Sequence, residues 1–169
     1  ITDSMLHDGL VDELSGGHMG VTAENVAKRY GITRQECDEL AVLSHQRACA
    51  AIDAGTFKDE IVPVEVRSRK GTVVVDTDEH PIRGADLASM AQLPPAFQRD
   101  GVVTAANASG INDAAAAAVV MSKEKADALG IAPLAKMLHI CGEGVEPEVM
   151  GLGPAVAIPK RLKAGGLAF

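Results

Sequence analysis

Aromatic residues are nearly absent: no Trp, one Tyr and three Phe in 169 residues. That excludes a core anchored on large rings, so small aliphatics must fill it, and hydrophobic residues still make up 47% of the chain. Wholesale disorder is excluded by the same figure. Cysteine is scarce too. Cys37, Cys49 and Cys141 form no Cys-x-x-Cys pair, have no metal-ligand spacing and are odd in number, which argues against a disulfide framework and a zinc site. A reducing compartment follows as the expectation, and the cytoplasm as the location. No apolar run is long enough to cross a bilayer and no signal peptide is present, so no membrane partner is expected. Positive charge is sparse and scattered, 16 basic residues against a net −7, which speaks against nucleic acid. The densest basic group, Arg67, Arg69 and Lys70, reads as a solvated hairpin tip that could also attract a phosphorylated ligand.

What is present organises itself into short elements. Thr22 precedes a helix over Ala23 to Tyr30, with Gly31 as its stop. Thr33-Arg34-Gln35-Glu36 is a capping box, and Cys37, Leu40, Ala41, Ser44, Ala48, Ala51 and Ile52 then recur at helical spacing up to Gly55. This puts Cys37 and Cys49 on or near a buried stripe, where a structural role is the default. The β-branched runs Ile61 to Val66 and Thr72 to Val75 flank Arg67 to Gly71 as a hairpin, with Pro63 marking an edge. Asp78 to Gly84 reads as a turn, and Leu87 to Leu93 as a helical turn or two before Pro94-Pro95.

Further on, Val102 to Asn107, Ala115 to Met121 and Leu134 to Ile140 are strand candidates. Ser122 caps a helix ending at Gly130, and Pro154 to Ala164 is a last helix. Alternating strands and helices favour an α/β sheet. Ile1 in place of Met, and the ending Gly165 to Phe169, read as cuts.

Three segments carry a family resemblance: His18-Met19-Gly20-Val21-Thr22-Ala23-Glu24-Asn25-Val26-Ala27, Asn107-Ala108-Ser109-Gly110-Ile111-Asn112-Asp113-Ala114-Ala115-Ala116, and Val149-Met150-Gly151-Leu152-Gly153-Pro154. Phe57 to Val64 and Pro95-Ala96-Phe97 add to them. In this order and spacing they resemble thiolases, over essentially the whole chain. The resemblance implies an α/β fold, a thiolase-like layered αβαβα arrangement, partial here, with an α/β loop subdomain covering the ligand. Residues 1–100 would be that subdomain, 101–131 the end of the N-terminal half-domain, and 132–169 the start of the C-terminal half.

The implied activity is acyl transfer on coenzyme A thioesters in fatty-acid metabolism, by thiolysis of a 3-ketoacyl-CoA or the reverse Claisen condensation. Such chemistry needs a low-pKa thiolate and preorganised donors for the oxyanions. In the family, the nucleophilic cysteine lies ahead of the His18 segment. The Asn-Glu-Ala-Phe, Gly-His-Pro and Cys-x-Gly-Gly-Gly motifs lie beyond the Met150 segment. None of the three cysteines has those contexts, so no catalytic residue and no metal ligand is assigned. Coenzyme A is expected as substrate and product, not as a resident cofactor, and the partners as CoA, acyl-CoA and further copies in a homodimer or homotetramer.

By resemblance, His18 and Met19 line the pantetheine and acyl tunnel with Leu10 nearby. Ser109 contacts pantetheine against a wall of Ala105, Ala108 and Gly110. Ser89 and Phe97 lie toward adenosine, and Met150 toward the acyl pocket. Arg83 falls one residue after the place of the family's adenine-stacking arginine, which Ile82 occupies. Read without the family, His18 is a structural histidine among glycines, Ser109-Gly110 a tight turn, and Phe97 and Met150 core residues. A non-catalytic binding or interaction module is the alternative function.

Overall fold

The computed structural model describes residues 1–168; Phe169, the end of the expected 132–169 segment, lies outside them. After a π-helical turn over Met5–Leu10 come helix α1 (Met19–Tyr30) and helix α2 (Arg34–Asp53). Strands β1 (Val64–Ser68) and β2 (Gly71–Val75) follow, then α3 (Leu87–Ala91). Helix α4 (Lys123–Leu129), a 3-10 turn over Pro147–Leu152 and α5 (Gly153–Ala164) complete the order. The contacts gather into two compact units, Ile1–Gly110 and the residues from Ile111 onward.

Local capping chemistry sets the helix ends. α2 begins at Thr33, whose hydroxyl accepts from the Glu36 amide while the Glu36 carboxylate accepts from the Thr33 amide at 2.7 Å. α1 starts earlier than expected: His18, not Thr22, is its cap, with Nδ1 accepting the Gly20 amide at 2.9 Å. Thr22 lies inside the helix and donates back to the Met19 carbonyl at 2.7 Å. Gly31 ends α1 and Gly130 ends α4 in the left-handed conformation that a side chain would oppose.

The buried face of α2 also differs from expectation. Leu40 and Ser44 are exposed, and the buried positions are Asp38, Val42 and His45, with Cys37 and Cys49 half-buried beside them. Polar side chains that find partners have turned the helix a step from the aliphatic stripe. Val42 packs with Ala85, Met90 and Ala106, joined by Ala41 and Leu93, as the core of the first unit.

β1 and β2 pair antiparallel from Val64↔Val75 to Ser68↔Gly71, leaving Arg69-Lys70 as the turn. Arg67 therefore stands in β1, opposite Thr72, and not in the turn. The three other strand candidates form no ladder: residues 102–107, 115–121 and 134–140 lie outside the helices and strands. A hairpin brings its own partner within two residues. The other runs need a neighbouring strand to pair with, and among the described residues no strand does so. Residues 112–121 do not become helix either, despite their alanines.

Candidate functional site

The loop before α1 closes on itself before it delivers His18. Asp12 caps it by accepting the Ser15 amide at 2.6 Å, Gly16 turns it with a φ of 68°, and Val11 bridges to His18. The hydrogen bond from Ser15 holds the Asp12 carboxyl below its usual range. His18 then does two things. Its Nδ1 accepts from Gly20, which puts the proton of the neutral ring on Nε2. Its ring packs on Phe97, centroids 4.7 Å apart and planes 31° apart. Gly20 makes room for that ring, since a Cβ there would stand 2.2 Å from Phe97. Met19, partly exposed, adjoins the pair in sequence, and Leu10 is half-buried just before the bridge.

The loop that carries Phe97 is held from α1 and α2 by buried polar groups. The Glu24 carboxylate, 5% exposed, accepts from the amides of Val102 at 2.8 Å and Val103 at 2.9 Å. Gly101 allows this approach, because a Cβ would lie 2.3 Å from Glu24 Oε1. Asn107 knots the next turn, accepting from the Thr104 amide at 2.7 Å and donating to the Val102 carbonyl at 2.9 Å. It also donates to Asp38 at 2.9 Å. Arg34 meets the other oxygen of Asp38 at 2.8 Å and donates to the Met90 and Leu93 carbonyls at the end of α3. His45 accepts the Ile82 amide through Nδ1 at 3.2 Å and reaches the Ala106 carbonyl through Nε2 at 3.3 Å. Sequence reasoning missed Glu24, Arg34, Asp38, His45 and Asn107. The readable signal was Asp38, Val42 and His45 sharing one helical face.

The expected binding residues are partly brought together. His18 and Phe97 touch. Ala105 lies inside the Thr104–Asn107 turn and Ala108, Ser109 and Gly110 follow it, with Ala105, Ser109 and Gly110 exposed. Among the described residues, no hydrogen bond joins Ser109 to His18. Ser89 uses its hydroxyl locally, donating to the Asp86 carbonyl at 2.9 Å within the cap of α3. Arg83 is paired with Asp53 at 2.9 Å, both exposed, which lowers the Asp53 pKa and raises that of Arg83. Met150 belongs to the second unit and is exposed. A cavity of about 330 Å³ beside Phe57, Pro63 and Asp76 contains none of these residues.

All three cysteines are free, with Cys37 and Cys49 half-buried and Cys141 exposed. Burial first, and then Asp38, Glu24 and Glu36, raise the Cys37 pKa and suppress its thiolate. Among the described residues, no hydrogen bond joins a cysteine sulfur to a histidine, and no cluster of His, Cys, Asp and Glu could hold a metal ion. No described helix is long and apolar enough to cross a membrane.

Comparison with known proteins gives a consistent picture. Residues 1–124 match the family model described as thiolase, N-terminal domain. An acetyl-CoA acetyltransferase of Syntrophomonas wolfei is 55% identical over all 169 residues, and one of Shinella zoogloeoides is 52% identical over 97% of the chain. In each case the chain spans 42% of the relative's length. A solved acetyl-CoA acetyltransferase from Syntrophomonas wolfei superposes with a TM-score of 0.95 at 63% identity, over the whole chain and 42% of its own. Human mitochondrial 3-ketoacyl-CoA thiolase does so at 0.87 and 39% identity, over 98% of the chain and 42% of its own.

Proposed function

Because the chain belongs to the thiolase family, with that family's α/β fold over the part it spans, we propose that it works within an acetyl-CoA C-acyltransferase as part of the coenzyme A face. The reaction is thiolytic cleavage of a 3-ketoacyl-CoA or the reverse condensation, and the nucleophilic cysteine is not one of Cys37, Cys49 and Cys141. Residues 1–100 act as the covering subdomain, with 101–131 and 132–169 belonging to the two half-domains. Coenzyme A is substrate and product, and the working assembly is a cytoplasmic homodimer or homotetramer.

The observation that carries this reading is the His18–Phe97 stack. A pantetheine arm alternates amides with methylenes, so it needs hydrogen-bond donors beside apolar surface. An imidazole whose Nδ1 is already engaged offers Nε2–H as a directed donor, and Phe97 with Met19 supplies the apolar surface. Ala105 within the fixed knot, and Ala108, Ser109 and Gly110 after it, add a small-residue wall with one hydroxyl. Ser89, Arg83 and Leu10 extend the proposed face; Met150, in the second unit, is assigned to the acyl pocket by family resemblance alone.

The test uses His18→Asn in the full-length protein. Asparagine keeps an oxygen that can cap α1 but removes the ring. Affinity for CoA, measured by calorimetry, should fall roughly tenfold while helix content stays unchanged. Unchanged affinity removes His18 from the site. The 169-residue chain alone should not cleave acetoacetyl-CoA. Turnover abolished by replacing Cys37, Cys49 or Cys141 would place the nucleophile here and overturn the assignment.

A further inference from the structure

The buried face of α2 runs Asp38, Val42, His45, and two of its three members are polar. Aliphatic residues would cost less there, so the partners of the polar ones indicate what the face holds. Asp38 takes the Asn107 side chain. His45, 8% exposed, takes backbone from two separate loops: the Ile82 amide at Nδ1 and the Ala106 carbonyl at Nε2. An amide N–H only donates and a carbonyl only accepts. One neutral tautomer, protonated at Nε2, therefore satisfies both contacts. Ile82 directly precedes Arg83. Ala106 and Asn107 directly precede Ala108, Ser109 and Gly110. One imidazole thus ties to a single point of α2 the loop assigned to the adenosine end and the loop assigned to the pantetheine end.

We infer that His45 is a positioning residue, a clasp that fixes the 80–84 loop and the 104–110 loop in register with each other. It need not touch the ligand. Its consequence for coenzyme A rests on the reading proposed above; the clasp itself rests on the two hydrogen bonds. A side chain that fills the same volume without accepting and donating would leave the part-buried Ile82 amide and the buried Ala106 carbonyl unpaired, and both loops would loosen. Glutamine, whose terminal amide both accepts and donates, should substitute in part.

The experiment compares wild type, His45→Leu and His45→Gln in the full-length protein, by amide hydrogen exchange without ligand and by calorimetry with CoA. In H45L, exchange should rise about tenfold in peptides covering 80–84 and 104–110 together, with α1 as protected as before. H45Q should recover most of the protection. Affinity for CoA should fall about tenfold in H45L and recover in H45Q. Wild-type protection of both loops in H45L, or loosening of one alone, overturns the clasp. Should H45L fail to fold, His45→Asn decides. Its shorter amide can still accept from Ile82 but falls short of Ala106, so only 104–110 should loosen, and full protection there overturns the clasp. Exchange judges the clasp, and CoA binding judges the ligand. A wild type that binds no CoA sinks the coenzyme A reading while the exchange result stands on its own.

Discussion

Up to Gly110 and from Ile111 onward, the chain uses the same small aliphatic alphabet to opposite effect. In the first unit Ala27, Val42, Ala85, Met90 and Ala106 are buried, and so are Thr22, Glu24, Asp38, His45 and Thr104. In the second, Ala126 and Val149 are the buried apolar residues among those described, while Val119 is 86%, Leu134 106% and Ile140 77% exposed. The first unit coheres by polar side chains that knot loops onto helices. The second has apolar mass in plenty, and among the described residues much of it is exposed. Cohesion here follows satisfied backbone groups more than it follows the count of apolar residues.

The largest effect that would break this comparison concerns Asp38. Asp38→Ala removes the carboxylate shared by Arg34 and Asn107, leaving one N–H of each without its partner, and should cost about 2–4 kcal/mol in urea unfolding of the chain, the lower end reflecting the partial exposure of Arg34 and the bonds both side chains keep. Val119→Thr, at an exposed position of the second unit, should stay within about 0.5 kcal/mol. If the valine change costs more than the aspartate change, the contrast between knotted and uncovered regions is wrong.

A smaller contrast sets two glycines against each other. Gly20→Ala drives a Cβ into the Phe97 ring, so the ring must swing away, at about 1–3 kcal/mol. Gly144→Ala, with nothing within 4 Å, should be neutral within about 0.5 kcal/mol. Thermal melting of both variants checks the energies, and ring-current shifts at His18 report whether Phe97 has moved. Equal melting temperatures would mean that the His18–Phe97 stack contributes nothing to the first unit.

Much of this was legible from sequence wherever the information was local. The Thr33–Glu36 box, the stops at Gly31 and Gly130, the cap at Ser122 and the 64–75 hairpin each depend on residues within a few positions of one another. The start of α1 was misread because histidine is an uncommon cap, and only the Gly20 contact reveals its Nδ1 in that role. Residues 102–107 look like a strand in isolation, yet the amides of Val102, Val103 and Thr104 are taken by the Glu24 and Asn107 side chains. Residues 115–121 and 134–140 carry strand-like sequences, and a strand exists only where a neighbour pairs with it. Of the proposed site, the His18 and Phe97 positions came from motif resemblance. Their contact, the glycine that permits it and the Glu24–Asp38–His45 framework are long-range facts that periodicity does not encode.

The mildest expected effect compares helix starts in the two units under acid. Glu36 in α2 has its carboxyl pKa held below the ordinary 4.5 by the Thr33 amide and hydroxyl. Glu124 in α4 is held below the same value by its own backbone amide and the Ser122 hydroxyl. In both, the ionised form is the one the fold favours. Each contribution is therefore fully present above pH 4.5 and is lost as pH falls through the lowered folded value. Both carboxylates are exposed, so each loss is small. The consequence depends on what else holds each helix. α2 runs for 20 residues and is pinned by Asp38, Val42 and His45, whereas α4 has seven residues and buries Ala126. A short helix with one buried contact depends far more on its cap. Carbon chemical shifts followed from pH 6 to about pH 3 should therefore show α4 fraying first, with the opening turn of α2 still helical once Glu36 is protonated. Loss of α2 in step with α4 would mean that its buried polar anchors contribute little, and the contrast between the two units would fall with them.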